Sequence, residues 1–260
     1  MFQGNSYITD RKMPVPAGKL PFAKKFSFFY KFIKRVFVVR RNVLNGKGLD
    51  YIYENSRYVI NLCEEYGAKI HIEGIDNLRN APGAVVIAAN HQSTLETLIL
   101  PALLGTFMPH TYVVKKSLSD GFIFGPIMRL FGPVGLDRNR KEPRADLDKV
   151  MNMGGEALRN GKSVVLFPQG TRCKGFDPES FNSLGVKLAK RAGAAVIPCA
   201  VKTDFWENGK VVSTVGNIWP ERTVHLAFGE AVPIEGSGKK EQARIVEFID
   251  STYKGWTDKD

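Results

Sequence analysis

The residues with the clearest chemical potential are Asn90-His91-Gln92-Ser93-Thr94-Leu95-Glu96. They follow an apolar run at 84–89 that is typical of a buried strand, and ligand sites of α/β proteins gather where such strands end. Ser93 with Glu96 three residues later is a helix N-terminal pattern, so we expect a helix to begin just after Ser93. Residues five apart do not share a helical face, but His91 would precede the helix and could meet Glu96.

Two interpretations of Glu96 are open at this point. A histidine held by a carboxylate is a general base that can take a proton from a hydroxyl nucleophile. The same Ser93-x-x-Glu96 spacing is also a capping box, in which the glutamate satisfies only backbone N–H groups at the start of the helix.

Three further polar groups follow predicted strands. Phe167-Pro-Gln-Gly-Thr-Arg172 places a glycine, a hydroxyl and a guanidinium after one strand, an arrangement that can surround a phosphate. Arg138 follows a short strand, and Lys115 and Lys116 end another. Close to His91, these residues would form an anion-binding cleft beside a base. For each of them alone, a solvated surface residue is the alternative.

Composition and charge indicate a soluble α/β protein with a basic leading segment. The chain has 260 residues, of which 43% are apolar, enough for one large α/β domain. Residues 1–48 hold eleven Lys and Arg against one acid, Asp10, and so carry +10 of the net charge of +11. Residues 49–260 are nearly neutral, which argues against nucleic acid as a partner. We therefore divide the chain into a basic segment, 1–48, and an α/β domain, 49–260.

Residues 22–41 form a predicted basic amphipathic helix. Its apolar face holds Phe22, Phe26, Phe29, Tyr30, Ile33, Val36 and Phe37. The opposite face holds Lys24, Lys31, Lys34 and Arg35, interrupted by Phe28 and Phe32. Such a helix is typical of segments that lie in a membrane interface and are attracted to anionic lipid. The alternative is a helix docked on its own domain with a solvated basic face.

The remaining segments predict a location at a membrane surface without a spanning helix. No run of about 18 uncharged apolar residues occurs, and no cleavable signal peptide is recognisable. Cys63, Cys173 and Cys199 lack metal-ligand spacing and indicate free thiols in a reducing compartment. We expect a peripheral or monotopic protein on the cytoplasmic face, with no regular structure in the proline-containing residues 1–21.

Strands and helices alternate along the rest of the chain. Predicted strands cover about 68–74, 84–89, 111–116, 134–138, 163–168, 195–201 and 223–228. Predicted helices cover about 49–66, the segment after 93, 121–132, 144–160, 183–191 and 239–256. This alternation predicts one α/β layer structure, a mixed, largely parallel central sheet flanked by helices.

In order and spacing, four stretches resemble the blocks of the glycerophospholipid acyltransferase family, which includes bacterial 1-acyl-glycerol-3-phosphate acyltransferases. They are Asn-His-x4-acid at 90–96, Gly-x-x-x-Leu-Asp-Arg at 132–138, Phe-Pro-x-Gly-Thr-Arg at 167–172 and Val-Ile-Pro at 196–198. The resemblance covers about residues 70–230. Two positions differ from the family pattern, because Glu96 replaces the usual aspartate and Gln169 replaces the usual glutamate.

The resemblance implies transfer of a fatty acyl group from acyl-CoA or acyl-acyl carrier protein to the hydroxyl of a lysophospholipid. The foremost acceptor is 1-acyl-sn-glycerol-3-phosphate, which gives phosphatidic acid. His91 would be the general base and Glu96 would fix its tautomer. The residues expected to bind the acceptor phosphate are Lys115, Arg138, Gly170, Thr171 and Arg172. No metal, cofactor or acyl-enzyme is implied.

The expected partners are an anionic membrane surface, contacted by residues 22–41, the two substrates and, as a candidate, acyl carrier protein. One alternative is the same chemistry on another lysolipid acceptor. Another is a non-catalytic basic membrane-binding protein. A hydrolase of the nucleophile-elbow type is disfavoured because the sequence has no Gly-x-Ser-x-Gly.

Overall fold

The computed structural model describes residues 2–10, 17–137, 143–210, 212 and 214–258. Its strands are β1 (Ser6–Ile8), β2 (Ile70–Glu73), β3 (Val86–Ala89), β4 (His110–Lys115), β5 (Val134–Leu136), β6 (Ser163–Leu166), β7 (Ala195–Lys202), β8 (Val224–Phe228) and β9 (Val232–Pro233). Its helices are α1 (Phe22–Leu44), α2 (Leu49–Glu65), α3 (Ile75–Arg79), α4 (Leu95–Phe107), α5 (Lys116–Ser119), α6 (Gly125–Leu130), α7 (Pro143–Lys149), α8 (Gly155–Arg159), α9 (Leu184–Ala192) and α10 (Lys239–Thr257). A π-helical turn, Val150–Gly154, joins α7 to α8.

The strands form one mixed sheet in the order β1-β2-β8-β7-β3-β6-β4-β5, with β9 paired to β7. Its centre is parallel, since β3 pairs with β6 and β7, and β4 pairs with β5 and β6. The antiparallel pairs are β1 with β2, β8 with β7, and β9 with β7. The predicted mixed, largely parallel sheet flanked by helices is confirmed.

Strand β3 lies at the centre of the sheet and is covered on both faces. Ile87 and Ala89 pack in the core formed with α1, α2 and α4, whereas Val86 and Ala88 pack in the core formed with α8, α9 and α10. All four residues of β3 and all eight of β7 are buried. Continuous apolar runs are what a parallel sheet covered on both faces requires. The residues that follow β3 therefore leave the sheet at its carboxyl edge, between two helical layers.

Helix α1 docks on the body through an aromatic cluster. The rings of Phe28, Phe29 and Phe32 surround Trp206, with centroid distances of 5.0, 5.5 and 5.0 Å. Phe28 and Phe32, which interrupt the predicted basic face, thus attach the helix together with Phe29. No described helix combines the length and the apolar character needed to cross a membrane.

Most of the apolar face predicted for α1 is left exposed beside this docked face. We call the exposed residues the outer stripe: Phe22, Phe26, Tyr30, Ile33, Phe37 and Leu44. Consecutive members are three, four or seven residues apart, so they form one line along the helix. Apolar side chains therefore cover more of the circumference of α1 than the predicted face does. One part of them packs on the protein, and the outer stripe remains exposed.

Three predicted elements differ in the structure. The expectation of no regular structure in residues 1–21 is wrong for Ser6–Ile8, which pairs with β2 because that edge offers unpaired backbone groups. The single helix expected over 121–132 is shorter, Gly125–Leu130, and the helix expected over 144–160 contains the π-turn. The division of the chain at residue 48 stays a prediction, although β1 and α1 both pack on the body.

Candidate active site

Asn90 continues the pairing of β3 with β7 beyond the last strand residue. Its Nδ2 donates to the Val201 carbonyl at 2.8 Å, and the Val201 N–H donates to Asn90 Oδ1 at 2.7 Å. The side chain replaces a backbone amide in the ladder, so the chain can turn away without leaving the buried Val201 groups unpaired. His91 therefore starts a loop at the carboxyl edge of the sheet.

The start of α4 is held by Ser93. Its Oγ accepts a hydrogen bond from the Leu95 N–H at 3.0 Å, and its own N–H donates to Glu96 Oε1 at 2.9 Å. Helix α4 begins at Leu95, so the predicted helix start is confirmed to within one residue. Glu96 therefore does accept from backbone N–H groups at the start of the helix, as the capping interpretation predicts.

The pairing of His91 with Glu96 is also present. His91 Nδ1 lies 2.7 Å from Glu96 Oε1, and the imidazole stacks on Phe167 with centroids 4.3 Å apart. No described residue hydrogen-bonds Nε2, and the His91 side chain is 15% exposed. In the neutral imidazole the carboxylate accepts from Nδ1–H, which leaves the lone pair of Nε2 to accept a proton. The extra methylene of glutamate therefore does not prevent the contact.

Glu96 is fully buried and accepts hydrogen bonds on both oxygens. Besides Ser93, the Gln92 N–H donates to Oε1 at 2.8 Å and the Thr203 hydroxyl donates to Oε2 at 2.6 Å. Burial alone would raise the pKa of Glu96, but the hydrogen bond and charge of His91 and the Thr203 hydroxyl outweigh it and hold this pKa below its ordinary value. Glu96 is thus a fixed carboxylate.

The loop after β6 lies directly against His91. The Cys173 N–H donates to the His91 carbonyl at 2.8 Å, and Gln169 Oε1 accepts from the His91 N–H at 3.2 Å. Gly170 has φ +70°, a conformation that favours glycine, and its N–H closes a turn onto the Phe167 carbonyl. Gln169 needs only a carbonyl oxygen for its bond to His91, so the amide serves there as a carboxylate would.

The predicted anion-binding residues are partly brought together. Gly170, Thr171 and Arg172 lie on the loop beside His91; Thr171 is exposed, and Arg172 is half-buried with Nη1 3.4 Å from Asn208 Oδ1. Lys115 is exposed at the end of β4, two strands and about 10 Å from β3. Arg138 lies outside the described residues.

Four supporting residues were missed by the motif search: Gln92, Thr203, Asn208 and Tyr253. Gln92 joins the other three, since it donates to the Tyr253 hydroxyl at 2.9 Å, accepts from the Thr203 N–H and has its carbonyl bonded by Asn208 at 2.7 Å. For Thr203 the available signal was its position after the long apolar strand β7. Asn208 and Tyr253 carry no local signal, because they meet Gln92 only through the fold.

A buried carboxylate, an imidazole with one available nitrogen and a half-buried guanidinium thus share one edge of the sheet. A family model described as "Acyltransferase" matches residues 69–202, just over half of the chain. The chain belongs to the acyltransferase family. All four blocks identified in the sequence lie within the matched residues.

Curated acyltransferases resemble the chain over part of their length. It is 30% identical over 186 residues to 1-acyl-sn-glycerol-3-phosphate acyltransferase of Pseudomonas aeruginosa, covering 69% of this chain and 65% of that protein. It is 33% identical over 146 residues to the chloroplastic 1-acyl-sn-glycerol-3-phosphate acyltransferase LPAT1 of Arabidopsis thaliana, covering 56% of this chain and 38% of that one. The matches span less than two thirds of these relatives.

One solved acyltransferase shares the fold. The crystal structure of the 1-acyl-sn-glycerophosphate (LPA) acyltransferase PlsC from Thermotoga maritima superposes with a TM-score of 0.65 at 17% identity. The match covers 89% of this chain and 93% of that one. The two proteins therefore share their fold over most of both chains.

Proposed function

We propose that the protein transfers a fatty acyl group from a thioester to the free hydroxyl of 1-acyl-sn-glycerol-3-phosphate, giving phosphatidic acid. The observation that carries the proposal is the 2.7 Å contact between His91 Nδ1 and Glu96 Oε1. It leaves His91 Nε2 as the proton acceptor beside a loop with an arginine. The names of the relatives support the choice of acceptor.

The reaction divides between the imidazole and the two substrates. As the acceptor oxygen attacks the thioester carbonyl carbon, its proton passes to His91 Nε2 and a carbon–oxygen bond forms. The tetrahedral adduct then loses the sulfur, and the departing thiolate takes the proton from the imidazolium. Glu96 stabilises the imidazolium while it exists, and a positioned base contributes about 10² to 10⁴ in rate. CoA and acyl carrier protein both present such a thioester.

The acceptor phosphate would be bound by the loop after β6. Arg172 supplies a guanidinium, Thr171 a hydroxyl and Gly170 a backbone that can approach an anion closely. The Cys173 N–H bond to the His91 carbonyl ties this loop to the base. Holding the phosphate there brings a hydroxyl of the same small molecule toward Nε2. Lys115 and Arg138 remain proposed contributors to the same anion site.

A membrane surface is the proposed place of reaction, on its cytoplasmic face. Supporting this, the outer stripe exposes 84% of Phe22, 65% of Phe26 and 57% of Tyr30. Lys34 and Arg41 flank the stripe on one side. Aromatic residues next to cations are suited to the interface of an anionic bilayer.

The test is an acceptor and donor screen with the full chain. One acyl-CoA and one acyl-acyl carrier protein are each offered with 1-acyl-sn-glycerol-3-phosphate, with a zwitterionic lysophospholipid and with no acceptor. We expect ester formation that depends on the phosphate-bearing acceptor. Transfer to the zwitterionic lipid alone would overturn the acceptor assignment, and release of fatty acid without an acceptor would indicate a hydrolase. Absence of any transfer would overturn the enzyme assignment.

A further inference from the structure

A contact between α1 and the segment before α6 lies on the outer stripe. Arg40 Nε donates to the Phe122 carbonyl at 2.8 Å, and the Arg40 guanidinium carbon lies 4.0 Å from the centroid of the Phe122 ring. Arg40 follows Phe37 by three residues and precedes Leu44 by four, so it belongs to the same line of side chains. Phe122 therefore lies at the C-terminal end of the stripe.

The segment that carries Phe122 presents further apolar side chains in a fixed conformation. Phe122 is 73% exposed, Leu118 41% and Ile123 37%. Arg129 Nη1 donates to the Ser119 carbonyl at 2.9 Å, which ties α6 back to α5. Single exposed apolar residues are ordinary, but exposed apolar residues grouped together can mark an interaction site, and here Phe122 joins the group to the outer stripe.

This segment also leaves the sheet at the edge that carries His91. Strand β4 ends at Lys115 and α5 begins at Lys116, whose ammonium lies 3.8 Å from Asp137. The parallel strands at the centre of the sheet all end at this carboxyl edge, so the segment that follows β4 begins at the same edge as the loop that carries His91. Lys115 is exposed at its base and adds a cation that suits an anionic surface.

We propose that Leu118, Phe122 and Ile123 form a second contact with an anionic bilayer, in addition to the outer stripe. A protein held at the membrane by one helix can still rotate about the axis of that helix. A second contact away from the axis fixes one orientation of the protein on the membrane. With both contacts in place, the carboxyl edge of the sheet is turned toward the lipid headgroups. This inference rests on the proposed membrane location and adds to it the surface that orients the site.

The test compares Phe122→Ser with a matched control, Ile8→Ser, in the full chain. Ile8 is 53% exposed but lies on β1, at the opposite end of the sheet from β4 and β5. Partition is measured by sedimentation with vesicles of phosphatidylcholine and phosphatidylglycerol. We expect Phe122→Ser to lower the partition coefficient about tenfold, the effect of withdrawing an aromatic side chain from an apolar phase. Ile8→Ser should leave it unchanged.

Several outcomes would contradict this second contact. Equal partition of Phe122→Ser, Ile8→Ser and the unchanged protein would overturn it, provided that thermal melts show all three folded. Weaker binding of acyl carrier protein with unchanged vesicle partition would assign the patch to a protein partner instead. Acyl transfer to detergent-dispersed acceptor is measured on the same preparations, so loss of the proposed reaction is recognised separately. An unchanged protein that ignores the vesicles would overturn both membrane contacts.

Discussion

His91 and His110 occupy opposite edges of the same sheet in contrasting surroundings. His91 follows β3 at the carboxyl edge, contacts a buried carboxylate and keeps one ring nitrogen available. His110 begins β4 at the amino edge, fully buried, with ring centroids of Phe131 and Tyr112 at 5.3 and 5.4 Å. Its Nδ1 lies 3.2 Å from the Met108 carbonyl, and no described residue bonds its Nε2.

The difference shows that a largely buried histidine is suited to accept a proton only when a carboxylate lies beside it to stabilise the positive charge. Burial lowers the pKa of His110 to about 4, with Lys162 acting in the same direction and the Met108 carbonyl opposing them. His110 is therefore neutral at ordinary pH and contributes to packing. At the other edge, the Glu96 carboxylate is placed to stabilise a positive charge on His91. We therefore expect proton transfer at the carboxyl edge, where His91 lies, and a contribution to stability alone from His110 at the amino edge.

The largest effect should come from replacing His91, with the replacement of His110 as its control. We expect His91→Ala to lower turnover by about 10² to 10⁴, because the proton acceptor is lost. Glu96 keeps its bonds to Gln92, Ser93 and Thr203, so the variant should remain folded. His110→Phe should retain turnover within a few-fold when both are assayed near pH 8. Equal turnover of His91→Ala and the unchanged protein would remove the proposed role of His91.

Replacement of Glu96 tests whether the carboxylate does more than cap α4. Glu96→Gln keeps the shape but removes the charge that stabilises the imidazolium, so we expect a loss in turnover on the order of 10². In the unchanged protein the pKa of Glu96 is lowered. Its ionisation therefore contributes to the free energy of unfolding above about pH 4.5, and this contribution is lost as pH falls through the folded-state pKa. Acid melts of the variant should lack that loss.

The control for this prediction is Glu64→Gln. Glu64 also accepts a hydrogen bond, from the Tyr7 hydroxyl at 2.6 Å, but it lies on α2 away from the loop. This variant should keep full turnover. A Glu96→Gln variant with a lower melting temperature and intact turnover would restrict Glu96 to the helix cap.

An effect on stability alone, with turnover retained, is expected from His110. Its folded-state pKa of about 4 lies below the ordinary 6.5, so the unfolded chain binds the proton first as pH falls. Stability present above pH 6.5 should therefore decrease by about 3 kcal/mol by pH 4. Replacing His110 with Phe should flatten this part of the curve of melting temperature against pH. An unaltered slope in His110→Phe would show that other groups dominate acid unfolding.

The contact between His91 and Glu96 could be predicted from the sequence because both residues lie close together in the chain. His91, Ser93 and Glu96 lie within six positions, so the start of one helix places all three. The sheet was predictable for a similar reason, since buried parallel strands are continuous apolar runs. Thr203, in contrast, reaches Glu96 across more than a hundred residues, and no pattern around it indicates the contact.

The N-terminal helix shows what periodicity leaves undetermined. Spacing identifies which side chains share a face, but not which part of an apolar arc another element covers. Phe28 and Phe32 were exceptions in the sequence and became the docked face because Trp206 lies opposite them. Strand β1 was missed for a related reason, since three residues form a strand only where β2 supplies a partner.

Trp206 lies between α1 and the residues that hydrogen-bond Glu96. Its ring is enclosed by the aromatic residues of α1, and its backbone N–H donates to the carbonyl of Thr203 at 3.2 Å. Thr203 in turn holds Glu96. The chain has three tryptophans, and this one is buried between α1, the helix proposed to contact lipid, and Thr203. We therefore expect the fluorescence of Trp206 to change when α1 is displaced from the body of the protein, because its ring packs against Phe28, Phe29 and Phe32.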